Sequence, residues 1–179
     1  YGIGVPDHKK IFGSTAGLLE QFGPSRCFDT PLAEETMTGF GLGAAIGGMR
    51  PIHIHIRVDF LLLAMNQLIN MISSYTYSTG GKMSVPMVIR VVVGRGWGQG
   101  YQHSKSLHSW LAHIPGLKVV MPTTPRDAKG LLTSAIRDND PVIVFNHKIL
   151  LGGVGGGQDV PKEPYELQIG KAEVAREGS

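Results

Sequence analysis

Apolar residues alternate along the chain between short β-branched runs and longer stretches of helical spacing, the pattern of β–α units built around a parallel sheet. Strands are predicted at residues 26–29, 51–56, 87–93, 118–121 and 141–145. Between the first two, residues 33–48 read as a helix of small side chains, where Gly39, Gly43 and Gly47 recur every four positions and leave one nearly bare face for close packing. Asp59 is placed to cap a long helix running to Tyr75, with Leu62, Met65, Ile69 and Ile72 at helical spacing. Thr124-Pro125-Arg126-Asp127 puts Thr at the cap and Pro at the first helical position of a helix that ends at Arg137. The glycine tract at 151–157, followed by Pro161 and Pro164, closes a single domain over residues 1–150 and opens a linker over 151–179.

Composition narrows what that domain does. The 179 residues suffice for one α/β core, and 42% hydrophobic against 17% charged residues excludes disorder and a coiled coil. A formal net charge of +3, scattered along the chain, is too mild for a nucleic-acid surface. The one cysteine, Cys27, forms neither an internal disulfide nor a cysteine metal site, which fits a reducing compartment, the cytoplasm or an organelle matrix. Two charge-free stretches, 60–81 and 36–49, invite a membrane reading and fail it. The first carries Asn66, Gln67 and Asn70, and the second is shorter than the ~20 apolar residues a span needs.

Candidate chemistry gathers where predicted strands end, the usual place for ligands in a parallel α/β sheet. Glu34 and Glu35 open the small-residue helix. Neighbours on a helix point about 100° apart, so at most one faces a given pocket, and both also favour a helix start electrostatically. Gly94-Arg95-Gly96-Trp97-Gly98-Gln99-Gly100 follows the 87–93 strand and lets backbone approach a ligand, but it lacks the Lys-Ser/Thr of a P-loop and the helix and later acid of a dinucleotide fingerprint. Among seven histidines, His53 and His55 share one side of a strand without an obvious third metal ligand, and read as packed or exposed side chains. His108 and His113 are five apart and do not form a one-face pair. His103 directly follows the glycine-rich loop, where a general acid or base is presented to a substrate.

Several segments in order carry a stronger signal. They are Phe28-Asp29-Thr30-Pro31-Leu32-Ala33-Glu34, Gly47-Gly48-Met49-Arg50-Pro51-Ile52, Asp59-Phe60 with Asn66-Gln67, Gly80-Gly81, Gln102-His103-Ser104, Pro115-Gly116-Leu117-Lys118-Val119-Val120, Asp127-Ala128-Lys129-Gly130-Leu131-Leu132 and Ala135-Ile136-Arg137-Asp138-Asn139-Asp140-Pro141. In this spacing the chain resembles the beta subunit of thiamine-diphosphate-dependent 2-oxo acid dehydrogenases, and specifically the pyrimidine-binding domain of the transketolase-like group.

The resemblance implies a three-layer α/β/α sandwich with a mostly parallel sheet. It implies that Glu34 hydrogen-bonds N1′ of the cofactor's aminopyrimidine, favouring the imino tautomer that deprotonates the thiazolium, and that Phe60 stacks on that ring. It implies that His103 assists the carbonyl chemistry and acyl transfer to a lipoyl group. Glu35 matches a variable position and takes the structural role. The family also holds a monovalent cation, usually potassium, on backbone carbonyls, here those of Met87, Ala135, Ile136, Asp138 and Asp140. The implied partners are an alpha subunit, a second beta subunit and the lipoyl domain of an acyltransferase. The sequence has no Gly-Asp-Gly, the motif that binds Mg²⁺ and diphosphate, so the chain is expected to depend on the alpha subunit for both. Rival readings are an assembly module of the same fold without catalysis and a piece of a transketolase or deoxyxylulose-phosphate synthase. Two departures touch the substrate side: Lys105 stands where the family often has Gln, and Asn146 where it commonly has Glu. The matched region begins after the family's usual first helix and strand and stops at what resembles the start of its carboxyl-terminal domain, so a fragment or shortened product is expected.

Overall fold

The computed structural model describes residues 1–7, 9, 12–96, 98–153, 157, 159–174 and 176–178. In chain order the elements are α1 (Leu18–Phe22), α2 (Glu34–Ile46), β1 (Ile52–His55), α3 (Val58–Leu61), α4 (Ser73–Ser78), β2 (Val88–Val93), α5 (His108–Ala112), β3 (Lys118–Val120), α6 (Pro125–Arg137), β4 (Val142–His147) and α7 (Lys148–Leu151). Leu62–Ala64 forms a tighter 3₁₀ turn and Gln67–Ile72 a wider π segment, which together make one long helical run from α3 to α4.

The four strands form one parallel sheet in the order β1-β2-β4-β3, with Ile52 beside Val88, Val88 beside Val142 and Lys118 beside Val142. The central strand β2 is buried at all six positions, as expected when helices cover both faces of a parallel sheet. Alternation sorts the two faces. Ile89, Val91, Val93, Ile143 and Phe145 meet Leu42 and Ala45 of α2, Leu61, Leu68 and Ile72 of the long helical run, and Leu111 of α5. Val88, Val142 and Val144 meet Ala135, Leu131, Leu132 and Ile136 of α6. The result is the expected α/β/α sandwich, with the loops after the strands collected at one edge.

Three expectations are corrected. Residues 26–29 are not a strand; the place beside β1 is taken by the first residues, where Ile54 N–H donates to the Tyr1 carbonyl at 2.9 Å and Gly2 bridges to Ile54. Asp59 does not cap its helix: Arg57 holds the cap position and Asp59 lies in the first turn, its carboxylate drawn to Lys105 at 3.1 Å. The closest approach on α2 falls at Gly41; of the evenly spaced Gly39, Gly43 and Gly47, only Gly39 faces another element, where a Cβ would lie 3.2 Å from the Gln67 side chain. A Cβ at Gly41 would lie 2.4 Å from the Met87 methyl, whereas one at Gly43 would meet nothing within 4 Å. Asp127 N–H donates to the Thr124 hydroxyl at 3.0 Å, and the α6 cap forms as predicted.

After α7, residues 161–167 lie along α6. The Lys129 ammonium donates to the carbonyls of Pro161, Lys162 and Glu163, and Ser134 exchanges hydrogen bonds with the Leu167 backbone. No helix among the described residues is long and apolar enough to cross a membrane.

Candidate functional site

The carboxyl edge of the sheet holds Phe60 and His103 together. Phe60, in α3 just after β1, keeps 37% of its surface exposed, and its ring meets the His103 imidazole edge-on at 5.2 Å. His103 ends a 3₁₀ turn, Tyr101–His103, that follows the glycine-rich loop after β2. Its Nδ1 is enclosed without a hydrogen-bond partner among the described residues, a costly state for a polar atom. The His103 carbonyl accepts from the Lys148 ammonium at 2.6 Å, fixing the turn against the end of β4. Gly94 is required where β2 meets this loop: its φ is +106°, and a Cβ there would lie 2.8 Å from the His147 ring.

Glu34 is the first residue of α2, half-buried at a helix start that favours its charge, and its carboxylate has no partner among the described residues. Glu35 differs. It accepts a hydrogen bond from the Asn66 amide at 3.0 Å and so ties α2 to the long helical run, the structural role expected of it. The structure thus brings Phe60 and His103 into contact and leaves Glu34 as a separate, available carboxylate.

Charges surround the pair. The Arg57 guanidinium, after β1, donates twice to the Gln99 amide oxygen, at 2.7 and 3.2 Å, and once to the Ile56 carbonyl. Burial lowers the pKa values of both Arg57 and Lys148, with Asp59 acting in the opposite direction on each. Lys105 bridges to Asp59 and also donates to the Tyr101 carbonyl. Asn146, where the resembling family has Glu, accepts from Arg90 at 2.6 Å, so the buried guanidinium meets a neutral oxygen. Sequence reasoning named Lys105 and passed over Arg57, Asp59's carboxylate role and Lys148. The available signal was a cation directly after the 51–56 strand and another within three residues of the end of the 141–145 strand.

His53 and His55 lie elsewhere, packed on the α2 face of β1. Both approach the Thr38 hydroxyl, at 3.4 and 3.5 Å, and His53 stacks on Tyr1 with ring centroids 4.5 Å apart. Burial lowers the His53 pKa from 6.5 to about 2, with His55 adding to the effect, and lowers that of His55 to about 4. No group of three or more potential metal-ligating side chains occurs among the described residues.

The proposed potassium carbonyls lie at the opposite edge, and three of them have protein donors. Arg50 donates to the Ile136 and Asp138 carbonyls at 3.0 and 2.8 Å, and Val142 N–H donates to that of Met87 at 3.0 Å. Two of the five carbonyls are thus engaged by the Arg50 guanidinium and a third by the sheet ladder.

The family model for the transketolase pyrimidine-binding domain matches residues 11–154. The 2-oxoisovalerate dehydrogenase subunit beta of Bacillus subtilis (strain 168) is 48% identical over 94% of this chain and 51% of its own length. The pyruvate dehydrogenase E1 component subunit beta of Porphyra purpurea is 44% identical over 92% of the chain and 49% of its length. A solved split-gene transketolase, described as an inactive beta4 tetramer, superposes with a TM-score of 0.70 at 19% identity, over 96% of this chain and 50% of that one, and supports the fold. The chain spans about half the length of the curated relatives it matches. By the extent of that match and the parallel sheet that carries it, the chain belongs to the transketolase pyrimidine-binding-domain family.

Proposed function

We propose that the chain is the pyrimidine-binding part of a beta-type subunit in a thiamine-diphosphate-dependent 2-oxo acid dehydrogenase. The observation that carries this reading is the half-exposed Phe60 ring set against a histidine whose Nδ1 is enclosed and unpartnered. An aromatic face beside an unsatisfied polar atom suits a heteroaromatic ring and the polar group reacting next to it. When bound, the cofactor supplies a thiazolium carbon nucleophilic toward a 2-oxo acid.

This chain's own residues orient and protonate. Glu34 is the carboxyl that holds the pyrimidine at N1′, its availability agreeing with that role. Phe60 provides the apolar face that excludes water. His103 holds or delivers a proton at the reacting carbonyl through its imidazole. An alpha-type subunit bearing Gly-Asp-Gly supplies Mg²⁺ and the diphosphate grip, a second beta chain completes the assembly, and a lipoyl domain accepts the acyl group.

The test reconstitutes this chain with such an alpha-type subunit. Glu34→Gln is expected to reduce 2-oxo acid turnover by at least about 100-fold while the pair still co-elutes on size exclusion. Unchanged turnover would remove Glu34 from the chemistry and the reading with it.

A further inference from the structure

Residues 161–167 cross the outer face of α6 without forming helix or strand, and among the described residues none of their backbone groups bonds to the backbone of the domain. Side chains make the attachment instead. Tyr165, Leu167 and Ile169 are half-buried, whereas Glu166 and Gln168 between them are exposed, so the segment runs extended with alternate positions turned inward. Ile169 packs against the cluster of Val88, Val142 and Val144. The Tyr165 hydroxyl donates to the Arg126 carbonyl at 2.6 Å, and the Ser134 hydroxyl donates to the Leu167 carbonyl at 2.7 Å while accepting from its N–H at 3.0 Å. Arg137 pairs with Glu166 where both side chains are half exposed or more, a contact that water screens.

Two residues of α6 fit this segment. Gly130 lies inside the helix, where glycine is a weak helix former, and a Cβ there would lie 2.6 Å from Leu167 Cγ and 2.7 Å from Tyr165 Cε2. The bare position is what lets those two side chains seat. Lys129, one position earlier, sends its ammonium to the carbonyls of Pro161, Lys162 and Glu163, the last two at 2.8 and 3.0 Å. An ammonium carries three N–H donors and no acceptor, and three consecutive carbonyls take all three. The Tyr165 ring centroid lies 5.4 Å from the same nitrogen and adds a cation–π attraction. No carboxylate forms an ion pair with Lys129 among the described residues, so its charge acts on the segment alone.

We propose that residues 161–167 form a releasable strap, seated over Gly130 and latched by the positive charge of Lys129, so that this one ammonium sets the path by which the chain leaves the domain. Docked, the strap carries Ile169 onto the sheet cluster. Without the ammonium, residues 161–163 lose every hydrogen bond that ties them to the domain among the described residues. The inference is independent of the cofactor reading, because α6 covers the sheet face opposite the one that α3, the helix of Phe60, packs on.

Limited digestion of the full chain with a glutamate-specific protease tests it, because the bond between Glu166 and Leu167 lies inside the strap. Lys129→Gln is expected to speed cleavage there at least about tenfold, with an unchanged circular dichroism spectrum and a Tm lowered by less than about 3 °C. Gly130→Ala is expected to speed it by a similar factor even though alanine is the better helix former, since its methyl group meets Leu167 and Tyr165. Hydrogen exchange at the Leu167 amide, which the Ser134 hydroxyl protects, is expected to quicken in both variants. Cleavage at the parent rate in either variant overturns the proposal. So does an equal acceleration after Glu35 in α2, which would mark a general loosening of the fold instead of release of the strap.

Discussion

Both edges of the sheet carry ionic groups, and they are built on different principles. At the amino edge Lys118 lies within 2.8–3.0 Å of the carboxylates of Asp138 and Asp140, and Arg50 caps the same turn through two carbonyls and the Asn139 amide oxygen. Two cations face two acids. At the carboxyl edge Arg57, Lys105 and Lys148 share Asp59, and His103 keeps an enclosed nitrogen without a partner. Groups whose charges and hydrogen bonds close on one another hold a fold together; the His103 nitrogen is left outside any such closure among the described residues. The comparison also explains why Glu35, bound to Asn66, reads as structural while Glu34 does not.

The largest expected effect sets the pH window in which the edges are to be compared. His53 and His55 are held neutral in the fold, so below the ordinary value of 6.5 the unfolded chain takes up protons first. Stability is complete above that pH and falls as pH drops toward about 4 for His55 and about 2 for His53. At ~1.4 kcal/mol per pH unit for each histidine, the pair accounts for roughly 5 kcal/mol between pH 6.5 and 4.5. Chemical denaturation across that range checks it, and a His53→Leu/His55→Leu chain with an unchanged acid slope would assign the loss elsewhere.

Within the neutral window, the edges are expected to respond differently to losing one charge. Asp59→Asn leaves buried cations without their shared carboxylate and is expected to cost about 3 kcal/mol, a Tm fall of roughly 6–12 °C. Arg57→Met removes one of the cations that share it and is expected to cost less than about 1 kcal/mol. Similar losses from the two would erase the distinction. At the amino edge Lys118→Met and Asp138→Asn are each expected to cost up to about 1 kcal/mol and to be strongly non-additive, as measured by a double-mutant cycle, because the Lys118 side chain is two-fifths exposed. Lys118 lowers the Asp138 pKa, so this contribution is present above 3.8 and is lost only as pH falls below it, outside the histidine window.

Local chemistry made most of the fold legible. The β-branched runs at 87–93 and 141–145 became β2 and β4, and Thr124-Pro125 became the cap of α6. The 26–29 strand failed because the competing edge partner, Tyr1–Gly2, is set by pairing across more than fifty positions. Gly41 was hidden because the approach of Met87 is a tertiary fact, whereas the regular spacing of Gly39, Gly43 and Gly47 is a local one. Glu34 and His103 were singled out by their places at predicted strand ends, while their roles, and Phe60, came from motif resemblance, which composition and periodicity do not supply. The Arg57–Gln99 and Lys105–Asp59 pairs join residues 42 and 46 apart, so the grouping around Asp59 became visible only once the strand ends were placed side by side.

The most direct test of the central claim is the crystal structure of this chain reconstituted with an alpha-type subunit, Mg²⁺ and thiamine diphosphate. The account predicts the aminopyrimidine against Phe60, with N1′ within hydrogen-bond distance of the Glu34 carboxylate. A ring lodged away from the Phe60–His103 pair, or Glu34 turned to a protein partner instead, would contradict it.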